Sequence, residues 1–302
     1  MKALVTGGAG FIGSNLVDHL YDNGHDVVAL DNESAVSNEE FYWKKRGVKN
    51  LGDDITNFDC VKSILHRERP DVVFHLAAES RIQPTLKNPV KAARTNFLGT
   101  CNLLQAAREA GTKRFVYSST SSAYGLKNKP PLKEDMTRDC LNPYSVTKVA
   151  AEDLCKMYHS LFGMETVIFR YFNVYGERQP LRGQYAPVVG IFLRQKGDGE
   201  PMTIVGDGLQ RRDFTHVDDV VKANILAATT TNEEAFGEIL NVGTGRNHSV
   251  KELADLIGGE QKHIDPRPAE AAETLADNNK IKRLLGWEAE VVFEDWIADN
   301  NV

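Results

Sequence analysis

The sequence predicts an α/β protein: a doubly wound, parallel sheet with helices on both faces, followed by a smaller α/β lobe. Two observations predict it. Short, near-continuous runs of Val, Ile and Leu alternate with longer amphipathic stretches as far as Arg170, the pattern of strands buried on both faces and joined by crossover helices. Beyond Arg170 the rhythm breaks into loops rich in Gly, Arg and Pro, over 175–187 and 197–213, between short helical stretches. We expect residues 1–170 to form the sheet domain. Residues 171–302 are expected to form mainly a ligand-holding lobe over the carboxyl edge of the sheet, where open α/β sheets bind ligands, with room for the chain to cross between the two.

The first unit is strand, glycine turn, helix. Ala3-Leu4-Val5 leads into Thr6-Gly7-Gly8-Ala9-Gly10-Phe11-Ile12-Gly13, and Leu16, Val17 and Leu20 mark the apolar face of the helix that follows. Free N–H groups and the positive end of the macrodipole at such a helix start suit a pyrophosphate. The glycines divide the steric work: a tight turn at Gly8, close backbone approach to phosphate at Gly10, helix-on-strand packing at Gly13. A second apolar run, 26–30, ends in Asp31, 18 residues past Gly13. An acid there binds a ribose diol and repels a 2′-phosphate, which points to NAD rather than NADP.

The next elements follow in order. A helical stretch over 58–69 is stopped by Pro70, and 71–76 reads as a buried strand. After Asn88-Pro89 a long helical pattern runs to Gly111, its natural cap. Residues 114–118 form a strand, a Pro/Lys-rich loop covers about 125–143, a helix runs from Pro143 or Tyr144 to Phe162, and 166–170 is a strand. In the second half, helices are expected over 188–196, 217–228 and 250–257.

Composition narrows the functional classes. The chain has 302 residues, 41% hydrophobic and 26% charged, with a formal net charge of −6. That is ordinary for a soluble globular protein and excludes a nucleic-acid-scale basic surface. No apolar run reaches the roughly 20 residues of a membrane span, and Met1 leads at once into the glycines without a signal peptide. Cys60, Cys101, Cys140 and Cys155 show no Cys-x-x-Cys spacing, as expected of reduced thiols in the cytoplasm rather than a metal site.

Tyr144-Ser145-Val146-Thr147-Lys148 places a phenol and an ammonium on one helical face. A nearby cation stabilises a phenolate and lowers its pKa, so Tyr144 is a candidate base for an alcohol proton. Chance Tyr-x-x-x-Lys pairs are common on amphipathic helices, and serine-rich turns often only satisfy their own backbone. What sharpens the reading is the order: a glycine turn, then Ser118-Ser119-Thr120-Ser121-Ser122-Ala123-Tyr124-Gly125 at a strand end, then the Tyr/Lys helix. A hydroxyl at that strand end would bond the same substrate oxygen and relay its proton.

With these motifs the sequence resembles the extended short-chain dehydrogenase/reductase family, specifically its nucleotide-sugar epimerases and dehydratases, over nearly its whole length. The resemblance further rests on Asp54-Ile55, His75-Leu76-Ala77-Ala78, Asn96, the 170–176 segment, the 212–218 segment, the 241–245 segment and the stretch from Arg267 to Asp277. It implies a Rossmann-type sheet with bound NAD. Gly7, Gly10, Phe11, Ile12, Gly13, Asp31, Asn32, Asp54, Ile55, Leu76, Ala77, Ala78, Asn96 and Ser118 would line the cofactor site, with Tyr144 and Lys148 at the nicotinamide end. Tyr144, Lys148 and Thr120 would carry catalysis. Ser121, Ser122, Asn173, Arg212, Arg267 and Thr274 would hold a UDP-sugar. Arg178 and Arg182 are read instead as ordinary surface arginines, and Arg211, next to Arg212 on a strand, as pointing the other way.

Within the family, dehydratases carry an Asp-Glu pair where this chain has Ser121-Ser122, so 4-epimerisation through a 4-keto sugar is the simpler expectation. Thr274 stands where hexose-restricted epimerases resemble one another in carrying tyrosine, which implies room for an N-acetyl group. Arg81, in a segment that departs from the usual epimerase loop, keeps a uronate open as substrate, for epimerisation or decarboxylation; the segment Ala77 to Ser80 resembles a dehydratase. A non-catalytic NAD-binding protein is the rival from another class. The resemblance also implies a homodimer through the helix ending at Gly111 and the Tyr144 helix, whose stripe is Val146, Val149, Ala150, Leu154 and Met157.

Overall fold

Strand and helix alternate along the first half of the computed structural model, which describes residues 1–35, 47–182, 186–266 and 271–301. The sheet strands are β1 (Lys2–Thr6), β2 (Asp26–Leu30), β3 (Lys49–Leu51), β4 (Val72–His75), β5 (Arg114–Thr120), β6 (Glu165–Tyr171) and β7 (Glu238–Val242). They lie in the order β7-β6-β5-β4-β1-β2-β3, and every pairing is parallel. All carboxyl ends therefore meet along one edge, which is why residues far apart in sequence can share a site.

Alternate residues of each strand feed opposite faces. Val5, Ala29, Phe74, Val116 and Phe169 pack with helix α1 (Phe11–Asp22) and the later helix Val217–Thr229. Leu4, Val28, Val73, Phe115 and Ile168 pack against α2 (Phe58–Glu68), α3 (Gly99–Ala110) and α4 (Pro143–Phe162). A third cluster, with Tyr175, Phe192, Phe214, Leu253 and Phe293 at its centre, is the lobe's own core. Among the described residues no helix is long and apolar enough to cross a membrane.

The structure refines the sequence expectations at several points. Strand β7 comes from the second half of the chain and joins the sheet beside β6. Neither β3 nor β7 was expected; β3 has only three residues, and each carries an asparagine inside the run. The sharp turn after β1 falls at Gly7, with φ +70°, rather than at Gly8, whose missing side chain instead makes room for Ala29. The long helical pattern before Gly111 is interrupted: after Pro89–Ala92 it runs as a π-helix over Ala93–Leu98 before α3. The apolar stripe on α4 divides, Val149 lying in the core while Val146 is 51% exposed.

Candidate active site

The glycine turn is closed by sterics. A Cβ on Gly7 would stand 2.7 Å from the Ala77 nitrogen, and one on Gly13 only 2.0 Å from the Gly7 carbonyl oxygen. Helix α1 begins after Gly10 with no side-chain cap and no acid in its first turn among the described residues, and first-turn N–H groups, those of Phe11, Ile12 and Gly13 here, have no intrahelical acceptor and suit an anion. Asp31 follows β2: its Oδ2 accepts from the Ala9 N–H at 2.9 Å and its Oδ1 from the Glu33 N–H at 2.8 Å. Burial pushes its carboxyl up, and those two bonds oppose the push. Asn32 donates to Asp54 Oδ2 at 2.8 Å. Ile55 is buried, against Gly99. This cradle, open only where backbone can touch backbone, fits the pyrophosphate and ribose of a dinucleotide.

Leu76, Ala77 and Ala78 sit at the carboxyl end of β4, Leu76 donating its N–H to the Thr6 carbonyl at 3.1 Å. Asn96 is fully buried and engaged by protein: its Oδ1 accepts from the Glu79 N–H (2.8 Å) and its Nδ2 donates to the Glu79 carbonyl (3.1 Å) and Thr147 Oγ1 (3.0 Å). It clamps the segment after β4 to α4. The Ser118 hydroxyl pairs with that of Tyr171 at 3.1 Å.

Helix α4 starts sharply. Asn142 and Ser145 form a reciprocal capping box and Pro143 opens the first turn, which sets Tyr144 next to the positive helix end. Its phenol lies near the Thr120 hydroxyl, whose Oγ1 accepts from the Ser122 N–H at 3.1 Å. Desolvation raises the Tyr144 pKa, while the Thr120 hydroxyl and the charge of Arg81 pull it down. Burial is the largest of these causes, and the cation among them is Arg81 rather than the expected Lys148. Lys148 is 2% exposed, its Nζ 4.3 Å from the centroid of the Tyr117 ring. Burial pushes the ammonium down to about 7, against the opposing pull of Cys155 and Glu152.

The second half assembles another group. Asn173, with φ +26°, donates to the Asp213 carbonyl at 3.0 Å and to Thr274 Oγ1 at 3.2 Å. Arg212 Nη1 donates to the Ala271 carbonyl at 2.8 Å. Arg211, on the opposite strand face, is held by Glu252 and Asn247; Arg178 pairs with Asp18 and Arg182 with Asp198. Arg267 lies outside the described residues. Ser121 and Ser122 open the short 3₁₀ turn after β5. Sequence reasoning missed Asp213, which accepts from the Thr244 N–H (2.8 Å), Gly245 N–H (3.0 Å) and Ala276 N–H (3.0 Å) and so fastens three segments of the lobe. Its place beside Arg212 was the available signal.

Residues 3–243 match the sequence profile of the NAD dependent epimerase/dehydratase family. The chain belongs to that family. NAD is the family's cofactor, and the glycine cradle and Asp31 fit it. The chain is similar to the UDP-glucose 4-epimerase of Mycolicibacterium smegmatis, 36% identical over 99% of this chain and 96% of that one. It is similar in structure to the UDP-glucose 4-epimerase of Thermotoga maritima solved with UDP-glucose, with TM-score 0.92 at 36% identity over 100% and 97% of the two chains. The UDP-glucuronic acid 4-epimerase of Bacillus cereus, solved with UDP-glucuronic acid and NAD, matches with TM-score 0.89 at 32% identity over 100% and 98%. The family is thus that of the UDP-sugar 4-epimerases, with hexose and uronate members both near this chain.

Lys148 carries a measurable cost. An ammonium held near 7 in the folded chain but near 10.4 when unfolded binds fewer protons folded, so stability rises with pH between those values. Lys148→Met is therefore expected to raise the melting temperature at pH 7, an advantage that shrinks as pH approaches 10, and to abolish turnover. Thermal melts across that range check it.

Proposed function

We propose that this chain interconverts the C4 epimers of a UDP-hexose, UDP-glucose and UDP-galactose, and accepts the N-acetylated pair as well. The Tyr144 phenol beside the Thr120 hydroxyl, at the carboxyl end of β5, carries the reading. This sets two hydroxyls where one sugar oxygen can meet both. Tyr144 takes the proton of the 4-hydroxyl and later returns it; Thr120 orients that oxygen and passes the proton. NAD, when bound, supplies reversible hydride transfer at C4, through a 4-keto sugar and with no net redox change. Lys148 holds the nicotinamide end of the site. Ser121 and Ser122 offer no carboxyl to protonate a leaving hydroxyl, which disfavours dehydration. Asn173, Arg212 and Arg267 hold the diphosphate, for which a guanidinium fork is the matched donor.

Thr274 supports the N-acetyl reading: its hydroxyl is bonded to Asn173 and to the Asp213 N–H at 3.4 Å, so a side chain much smaller than tyrosine is held in place there. A second reading, UDP-glucuronate, is favoured by Arg81, whose charge reaches the phenol that would meet C4. Purified protein incubated with UDP-glucose, UDP-N-acetylglucosamine and UDP-glucuronate, without added cofactor, and followed by NMR, separates these. Wild type is expected to turn over the first two. Thr274→Tyr is expected to lose N-acetyl turnover at least about tenfold while keeping UDP-glucose, the scale of filling a pocket by one group; equal loss on both sugars counts against the pocket argument. Turnover of the uronate alone would favour the second reading, and none at all a non-catalytic NAD-binding protein.

The homodimer is likewise our proposal. Val90 (64% exposed), Leu98 (44%) and Val146 (51%) face outward from the helices around the Tyr144 helix, apolar surface of the kind a second copy would cover.

A further inference from the structure

One buried titratable group has no part in the chemistry above. His75, at the end of β4, is 0% exposed and bonded on both ring nitrogens: Nδ1 to Thr6 Oγ1 and Nε2 to Thr100 Oγ1, each at 2.8 Å. The proton positions follow from counting. The Thr100 hydroxyl donates to the Asn96 carbonyl at 2.7 Å, and a hydroxyl has a single hydrogen, so toward the ring it accepts. Nε2 therefore carries the proton. Nδ1 is bare and accepts from the Thr6 hydroxyl, and Thr6 Oγ1 in turn accepts from the Ala77 N–H at 3.3 Å. Burial, reinforced by the charge of Lys148, keeps the imidazole neutral.

These bonds form one continuous run. Thr6 is the residue before Gly7. Asn96 lies in the π-helical stretch, a local irregularity that often marks functional sites, and its amide grips Glu79 and Thr147. The Thr147 hydroxyl is shared between the Pro143 carbonyl at 2.7 Å and the Tyr144 carbonyl at 3.1 Å. Thr6, Asn96 and Thr100 are all fully buried like His75, so water cannot replace a missing partner. We propose that His75 is a positioning residue, an imidazole of fixed tautomer that couples the glycine turn to the helix carrying Tyr144. It touches neither the sugar nor the phenol; it holds the cradle and the base in one frame.

The test uses the full chain with its NAD. Thr100→Val removes one hydroxyl at nearly constant shape; Thr100→Ser restores it. Because the kinetic arm rests on the proposed epimerase reading, amide hydrogen exchange at Ala77 and Glu79 is measured beside it. Thr100→Val is expected to lower kcat per NAD-occupied site about tenfold at unchanged KM, the scale of one buried hydrogen bond, and to speed exchange at both amides about tenfold. Thr100→Ser is expected to return both to wild type. His75→Leu is expected to exceed Thr100→Val in both effects, with His75→Gln between; if His75→Leu fails to fold, the Thr100 pair decides. A Thr100→Val protein that melts lower but keeps kcat per occupied site and wild-type exchange has lost packing alone, and the proposal is overturned. Should wild type turn over no UDP-sugar, the exchange arm still tests the coupling.

Discussion

Tyr144→Phe is expected to lower turnover about a thousandfold while the purified protein still carries NAD. The size follows from what is removed: a positioned acid–base group contributes about 10²–10⁴, and the variant leaves Thr120 without the phenol that lies near it. The ring remains, so packing at the start of α4 is kept, and the glycine cradle that holds the dinucleotide lies on other elements. The variant therefore separates chemistry from cofactor binding. Nucleotide released on denaturation measures the bound NAD, and NMR of the sugar C4 proton measures turnover. Loss of NAD together with activity would mean that the phenol is part of the cofactor cradle. Full activity would remove Tyr144 from the mechanism. The raised pKa of the half-buried phenol sharpens the case: a group that resists ionising by itself must be helped by charges that arrive with the ligands, and Arg81 is the protein's own contribution.

The repeating strands and helices were legible because a parallel sheet writes itself as continuous apolar runs, and the glycine cradle because a Cβ fits at neither Gly7 nor Gly13. The sheet topology then delivers Asp31, Ala77 and Thr120 to one edge without further instruction. What was hidden depends on partners distant in sequence. The π turn differs from an α-helix by one residue in hydrogen-bond register, and Phe97 and Leu98 satisfy either periodicity. Asn96 reads as a polar helix residue until Glu79 and Thr147 are placed around it. The contact of Asn173 with Thr274 spans 101 residues, and no local pattern specifies it. Arg81 sits in a segment whose closeness to Tyr144 is a property of the folded chain alone.

Glu152→Ala is expected to destabilise the fold by about 3–5 kcal/mol, the cost of leaving one buried charge without its partner. Glu152 and Arg170 are 0% and 1% exposed by side chain, and the guanidinium meets the carboxylate in two bonds, Nε to Oε1 at 2.9 Å and Nη2 to Oε2 at 2.7 Å. The Ser119 hydroxyl donates to the same Oε1 at 2.5 Å. Helix α4 is thus pinned to β5 and β6 by one carboxylate. Arg170 has little reserve, since its Nη1 lacks a hydrogen-bond partner among the described residues, and its guanidinium lies over the Tyr124 ring. Replacing both charges, as Glu152→Leu with Arg170→Met, is expected to recover most of the loss, because an apolar pair of similar volume needs no desolvation. Urea melts of the single and double variants give the coupling; additive losses would mean that the two charges do not depend on each other. The same carboxylate lies one helical turn past Lys148, as Lys148 lies past Tyr144, and it raises the lysine's pKa against burial. The double variant is therefore expected to regain its stability but not its activity: with Glu152 gone, Lys148 loses its proton at a lower pH, and the alkaline limb of the turnover profile moves down.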